Sequence, residues 1–312
     1  MPGGPQVALL PDGRRLHLQH GPIDLVIDAH GPDDAMRTAW QAAEFRFRDV
    51  LATLVAELPD LRRPCPTGGI SLQGPVAQRM VRAVTPHAAH HFVTPMAAVA
   101  GAVADEVLDA ILRATTGLQR LHVNNGGDIA LWLAAGAQVT LGIAHPGDAG
   151  SGQPAPRLID RLTIDAADRV GGIASSSRHG RSLSLGIADN VTVLARTAAT
   201  ADVAATLIAN AVDPGDHPAI RRCPASTRDP DSDLGERAVT VGVGRLPDHV
   251  VAEALDRGVA RAGEMLAHGL IDAALLTLQD VTRQAGPLKR PGGKDGLHPE
   301  PLVRGGLRVG VR

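Results

Sequence analysis

The sequence predicts an α+β fold, with a central, mostly antiparallel sheet region and flanking helices. Three observations lead there. Strand-like apolar runs cluster between residues 119 and 195, and helical periodicity lies mainly before and after them. The regular strand–helix alternation of a doubly wound parallel sheet is missing. At 312 residues and 44% hydrophobic content, the chain can bury a large core, and no linker cuts it into equal halves. It reads as one composite domain over residues 1–285. Residues 286–312, dominated by Gly, Pro, Lys and Arg, read as a disordered tail.

Taken in order, Leu16 to Leu18 and Ile23 to Ile27 alternate around His20-Gly21-Pro22 as a hairpin. A helix opens at Asp33-Asp34, with Met36, Trp40, Ala43, Phe47, Val50 and Leu54 as its apolar stripe. A second opens at Thr94-Pro95 and is rich in small residues before Asp105, with Gly117 as its stop. Strands are expected over residues 119–123, 129–133, 138–143, 158–164, 170–174 and 191–195, with an exposed loop over 147–156. A helix over 200–212, a polar connection over 213–236 and a strand over 237–243 follow. Two helices, 247–268 and 271–284, broken at Gly269, end the periodic part.

Composition narrows the function. A net charge of −2, no Tyr, two Trp and three Phe argue against nucleic-acid binding, which needs basic surface and aromatic platforms. Cys65 and Cys223 are too few for a disulfide framework and read as free thiols, with a single bridge between them as the alternative. The N-terminus has no basic region leading into an apolar core. The longest stretch without acidic or basic residues, Thr85 to Ala104, holds histidines and prolines and is too polar for a membrane span. The expected compartment is the cytoplasm.

Five segments could carry chemistry. Asn124-Asn125-Gly126-Gly127-Asp128-Ile129 joins two strands, and its bare glycine backbone between amides and a carboxylate suits either a nucleotide or an ordinary tight turn. Asp202 and Thr206 stand four apart on one helix face, as magnesium ligands or as a first-turn acid with a back-bonded threonine. Gly171 to Arg178 ends a strand in Ser175, Ser176 and Ser177, which with Arg178 could hold a phosphate or form a polar loop. Two of His87, His90 and His91 could bind a metal on a helix, but no matching third ligand is evident, and a surface or structural role outweighs zinc. Asp229 to Gly235 lacks the glycine and glutamate of a calcium loop and reads as an exposed acidic turn or a substrate-facing loop.

In order, NNGGDI, ASSSR and VTVLARTAATADVAATL resemble the ApbE-like superfamily, whose best-known members are FAD:protein FMN transferases. The resemblance covers roughly Pro95 to Val212. It implies an ApbE-like fold with a flavin-nucleotide site, FAD for the best-known members. The site would be formed by Gly101, Asp105, Asn125, Gly126, Gly127, Asp128, Ser175, Ser176 and Ser177, with Mg2+ on Asp202 and Thr206. It also implies a protein acceptor, if the chain is a transferase. The chain departs from the family where Ala100 replaces the lysine before Gly101. It departs again where the His-Ile-Ile-Asp-Pro segment is replaced by residues 179–190. Transferase activity is therefore in question, with His179 and Asp189 as low-ranking base candidates. Different chemistry on a small anionic metabolite, or flavin binding without catalysis, are the alternatives.

Overall fold

The computed structural model describes residues 4–145, 157–180 and 182–291. The fold is α+β. The sequence suggested one composite domain, whereas contacts group the chain into two compact units with interleaved segments. The first takes residues 1–137, 170–174 and 194–203; the second takes 138–169, 175–193 and 204 onward.

The first unit carries β1 (Gln6–Leu9), β2 (Arg15–His20), β3 (Ile23–His30), β4 (Arg120–Asn125) and β5 (Asp128–Leu133). These strands lie side by side in chain order, followed by the start of β8 (Gly172–Ser176), and each adjacent pair is antiparallel. Leu16, Leu18, Leu25, Ile27, Leu121 and Val123 are buried on one face, where alternation sends every second side chain. Against them lie α1 (Asp33–Phe47) and α5 (Val99–Ala114). Two further helices, α2 (Val50–Ala56) and α4 (Pro75–Val84), complete this side, with the single turn α3 (Leu58–Leu61) between them.

The stripe expected along one helix from Asp33 to Leu54 is broken after Phe47. In α1 the buried positions are Ala35, Ala39, Ala43 and Phe47, so methyl-sized side chains face the core while Met36 and Trp40 lie at its margin. Helix α4 was missing from the expected elements. Its N-cap, Gly74, has no side chain, and the Glu57 carboxylate accepts from the amides of Gln73 (2.6 Å) and Gly74 (3.0 Å) instead. Glu106 ties three helices together, accepting from Arg46 and Arg79 at 2.8 Å each. Burial pushes its carboxyl up, but the two guanidiniums outweigh burial and leave it below its ordinary value.

On the opposite face of the sheet, Asp28 and His122 form a buried cross-strand pair, with His30 Nε2 3.1 Å from Asp28 Oδ1. Burial drives His122 down to about 4.

The second unit contains the antiparallel pairs β6 (Gln138–His145) with β7 (Arg157–Asp165), and β10 (Ile220–Pro224) with β11 (Ala238–Val243). Strand β10 lies within what the sequence suggested was an uninterrupted polar connection. Strands β9 (Asn190–Ala195), β12 (Ala273–Leu278) and β13 (Val281–Ala285) lie side by side, β9 continuing into the first unit. Helix α7 (Asp248–Ala267) packs on β12 and β13.

Residues 271–284 were expected to be helical; they form the β12–β13 hairpin. Its turn places Gln279 (φ 45°) and Asp280 (φ 67°) in the left-handed region without glycine. Tertiary bonds hold it: Asp189 accepts from the Gln279 amide at 2.6 Å, and the Gln279 side chain reaches Leu246 N and Gly244 O.

Of the expected tail, Lys289 is ordered, pairing with Asp165 and Asp168, and Arg290 pairs with Asp160. Residues 292–312, like the whole of the 147–156 loop, lie outside the described residues. Among the described residues, no helix is long and apolar enough to cross a membrane, and both cysteines are free.

Candidate functional site

The NNGGD segment is the turn between β4 and β5. Asn125 pairs with Asp128 across it, and Gly126 (φ 67°) and Gly127 (φ 119°) fill the two central positions, where left-handed backbone favours glycine. Asn124 Oδ1 accepts from the Gly127 amide at 2.9 Å and fixes the loop. Asn125 turns inward instead. It is buried, and its Nδ2 donates to Ala100 O at 3.0 Å, tying the turn to the start of α5. Turn geometry and a functional reading are therefore compatible.

Gly101 lies in the first turn of α5. Its amide donates to Asp202 Oδ2 at 3.0 Å, and the Ala100 amide adds to the same carboxylate. Asp202 sits on α6 (Ala198–Ala211), whose first turn approaches so closely that a Cβ on Gly101 would overlap the Ala198 carbonyl. From the other side, Gly172 is equally restricted: its Cβ would overlap Thr197.

Asp105, expected to help bind nucleotide, is buried and otherwise engaged. Its Oδ1 accepts from Ala198 N and its Oδ2 from Ala199 N, both at 2.9 Å. Burial pushes its carboxyl up to about 6, although these amides oppose the shift. Asp202 is displaced well above the ordinary carboxyl value, first by burial and then by the Asp128 carboxylate, with Asp105 adding to it. Asp128 and Asp105 thus both press on Asp202, near two helix N-termini.

Thr206, one turn beyond Asp202 on α6, is half-buried. Among the described residues, no three His, Cys, Asp or Glu side chains converge as a ready-made metal cage. The donors present are hard oxygens, two carboxylates in mutual repulsion and a hydroxyl on the helix that carries one of them, the chemistry magnesium prefers.

The second unit holds the serine run and the low-ranking bases. Ser175 Oγ lies 2.9 Å from Thr192 Oγ1, and Ser177 Oγ accepts from His179 N at 2.9 Å. Ser176 is half-buried at the end of β8. Asp189 is buried under Arg178, whose Nε and a terminal nitrogen lie 2.8 and 2.7 Å away. It also binds the Gln279 amide and stands 3.4 Å from His179 Nε2. A carboxylate so engaged suits positioning better than proton abstraction.

His87 is buried, and the Asp229–Gly235 segment turns on local bonds such as Asp231 N to Asp229 Oδ1 at 3.0 Å. Sequence reasoning missed the Asp28–His122 pair, although Asp28 and His30 alternate along one strand face. It also missed Gln279, whose role depends on tertiary partners alone.

A family model described as AbpE bacteria matches residues 7–288. A UPF0280 protein from Methanoregula boonei is 35% identical over 185 residues, covering 57% of this chain and 71% of that protein. Another from Methanopyrus kandleri is 35% identical over 186 residues, covering 57% and 68% respectively. Among solved structures, the flavin transferase ApbE from Vibrio cholerae is 12% identical with a TM-score of 0.46, covering 91% of this chain and 97% of that one. The family match includes the NNGGD turn, the serine run and the Asp202 helix, and the chain belongs to the AbpE bacteria family, within the ApbE-like superfamily.

Proposed function

We propose that the protein binds a flavin nucleotide, FAD in the first instance, together with Mg2+. Asn125, Gly126, Gly127 and Asp128 would border the nucleotide, with Gly101 beside them at the start of α5. Asp202 and Thr206 would hold the cation against the pyrophosphate.

One observation carries this reading: the Asp202 carboxylate is held at the N-terminus of α5, accepting from the Gly101 amide at 3.0 Å, where burial and then the Asp128 carboxylate both disfavour its charge. A helix N-terminus carries roughly half a positive charge. The two that meet here only partly balance Asp105, Asp128 and Asp202. The surplus of negative charge is what a divalent cation neutralises.

Flavin binding without group transfer is favoured over FMN transfer to a protein acceptor. Asp189 is committed to Arg178 and the Gln279 amide, so residues 179–190 offer no free carboxylate base at that position. Chemistry on a small anionic metabolite remains the rival from another class, with Arg178 and the serines as its anion contacts.

Titrating FAD into the protein with and without Mg2+, followed by flavin fluorescence, tests the proposal. The expected result is binding that tightens at least tenfold with Mg2+, a gain that Asp202→Ala abolishes. No FAD binding in either condition overturns it. Mass spectrometry of a candidate acceptor incubated with FAD and Mg2+ separates carrier from transferase by a gain of covalent FMN.

A further inference from the structure

We propose that Asp105 is a positioning residue, acting through a reciprocal cross-cap between α5 and α6 that holds Asp202 in place. Each helix starts with backbone amides that have no partner within the helix. In α6 the amides of Ala198 and Ala199 donate to Asp105, a residue of α5. In α5 the amides of Ala100 and Gly101 donate to Asp202, a residue of α6. Gly101 and Asp105 are four apart on α5, as Ala198 and Asp202 are on α6, so donor and acceptor lie one turn apart on each helix. The four groups form a closed ring.

The ring has an electrostatic reason. Two positive helix ends brought together repel each other, and a carboxylate from each partner neutralises the other's end. It also has a steric one, since α6 can come this close only because Gly101 lacks a side chain where Ala198 passes. Thr197 Oγ1 accepts from Thr200 N at 3.2 Å, a third bond at the same end of α6. Asp105 is therefore withdrawn from the nucleotide, and its contribution is to fix the helix that presents Asp202.

The cross-cap itself is independent of any ligand; its consequence for Mg2+ rests on Asp202 being the cation ligand. The test uses the full chain and the variant Asp105→Asn, whose amide nitrogen cannot accept a hydrogen bond. Hydrogen exchange is read at Ala198, Ala199, Ala100 and Gly101, and FAD binding is titrated with and without Mg2+. The cross-cap predicts at least tenfold faster exchange at all four amides. It also predicts a tenfold or greater loss of Mg2+ affinity, with FAD affinity in the absence of metal within twofold of the parent.

Faster exchange at Ala198 and Ala199 alone would show two independent caps and overturn the ring. Unchanged Mg2+ affinity would overturn the positioning role. If the parent protein binds neither FAD nor Mg2+, the proposed function fails, while the exchange pattern still decides the cross-cap. Should Asp105→Asn not fold, the converse variant Asp202→Asn must speed exchange at Ala198 and Ala199, and protection there would refute the ring.

Discussion

Asn125 shows how one amide can serve a turn and a site together. Its backbone closes the β4–β5 ladder opposite Asp128, while its buried side chain donates to Ala100 O in the first turn of α5. Removing a buried donor leaves its acceptor unsatisfied, at a cost of about 1–3 kcal/mol. Asn125→Ala should therefore lower the unfolding free energy by that amount, read as a lower urea midpoint with an unchanged m-value, and should weaken FAD binding as the turn loses its anchor. Asn124→Ala removes only a half-exposed bond within the loop and should cost less than half as much. Equal effects would refute the division of labour between these neighbours. The turn itself was legible, because paired glycines between Asn and Asp permit few other backbones. The inward aim of Asn125 and the capping role of Asp105 were not. Both depend on partners far along the chain, which no local pattern encodes.

Among elements, the junction of α5, β8 and α6 is the most restrictive. A methyl at Gly101 would strike the Ala198 carbonyl, and one at Gly172 would strike Thr197, so two elements press on one helix start. Backbone cannot yield as a flexible side chain does. Gly172→Ala should destabilise the protein by about 3 kcal/mol, the upper range for forced overpacking. It should also weaken the Mg2+ dependence of FAD binding, because Asp202 moves with α6. Thermal unfolding within a degree of the parent would contradict the packing argument. The small-residue character of α5 was visible in sequence, as were most strands of the sheet. The β12–β13 hairpin was not, since Gln279-Asp280 lacks the glycine that announces such a turn, and bonds from Asp189, Leu246 and Gly244 supply its stability. Helix α4 had a legible signal in Pro75 at its first position and in Val76, Met80 and Val84 at four-residue steps.

For the whole molecule, buried ionisable groups set two opposing dependences on pH. His122 is held at about 4 against 6.5 when exposed, so between these values the unfolded chain binds more protons, and stability falls as pH falls. Asp105 behaves oppositely. Its carboxyl at about 6 against 3.8 means the folded protein binds the extra proton, so stability falls as pH rises through that window. Asp202 is displaced in the same direction as Asp105. A tenfold change in proton affinity is worth about 1.4 kcal/mol, so the His122 and Asp105 effects are each on the order of 3 kcal/mol and largely cancel between pH 4 and 6. Substitution should separate them. Relative to the parent, His122→Gln should gain about 3 kcal/mol on acidification from pH 6.5 to 4, as the penalty for protonating the unfolded histidine disappears. Asp105→Asn should start lower because its cap is lost, then gain a similar amount relative to the parent as pH rises from about 4 to about 6. Urea unfolding at half-unit pH steps would resolve both slopes. Stability curves for the three proteins that run parallel across the window would show that neither group is buried as the structure has it.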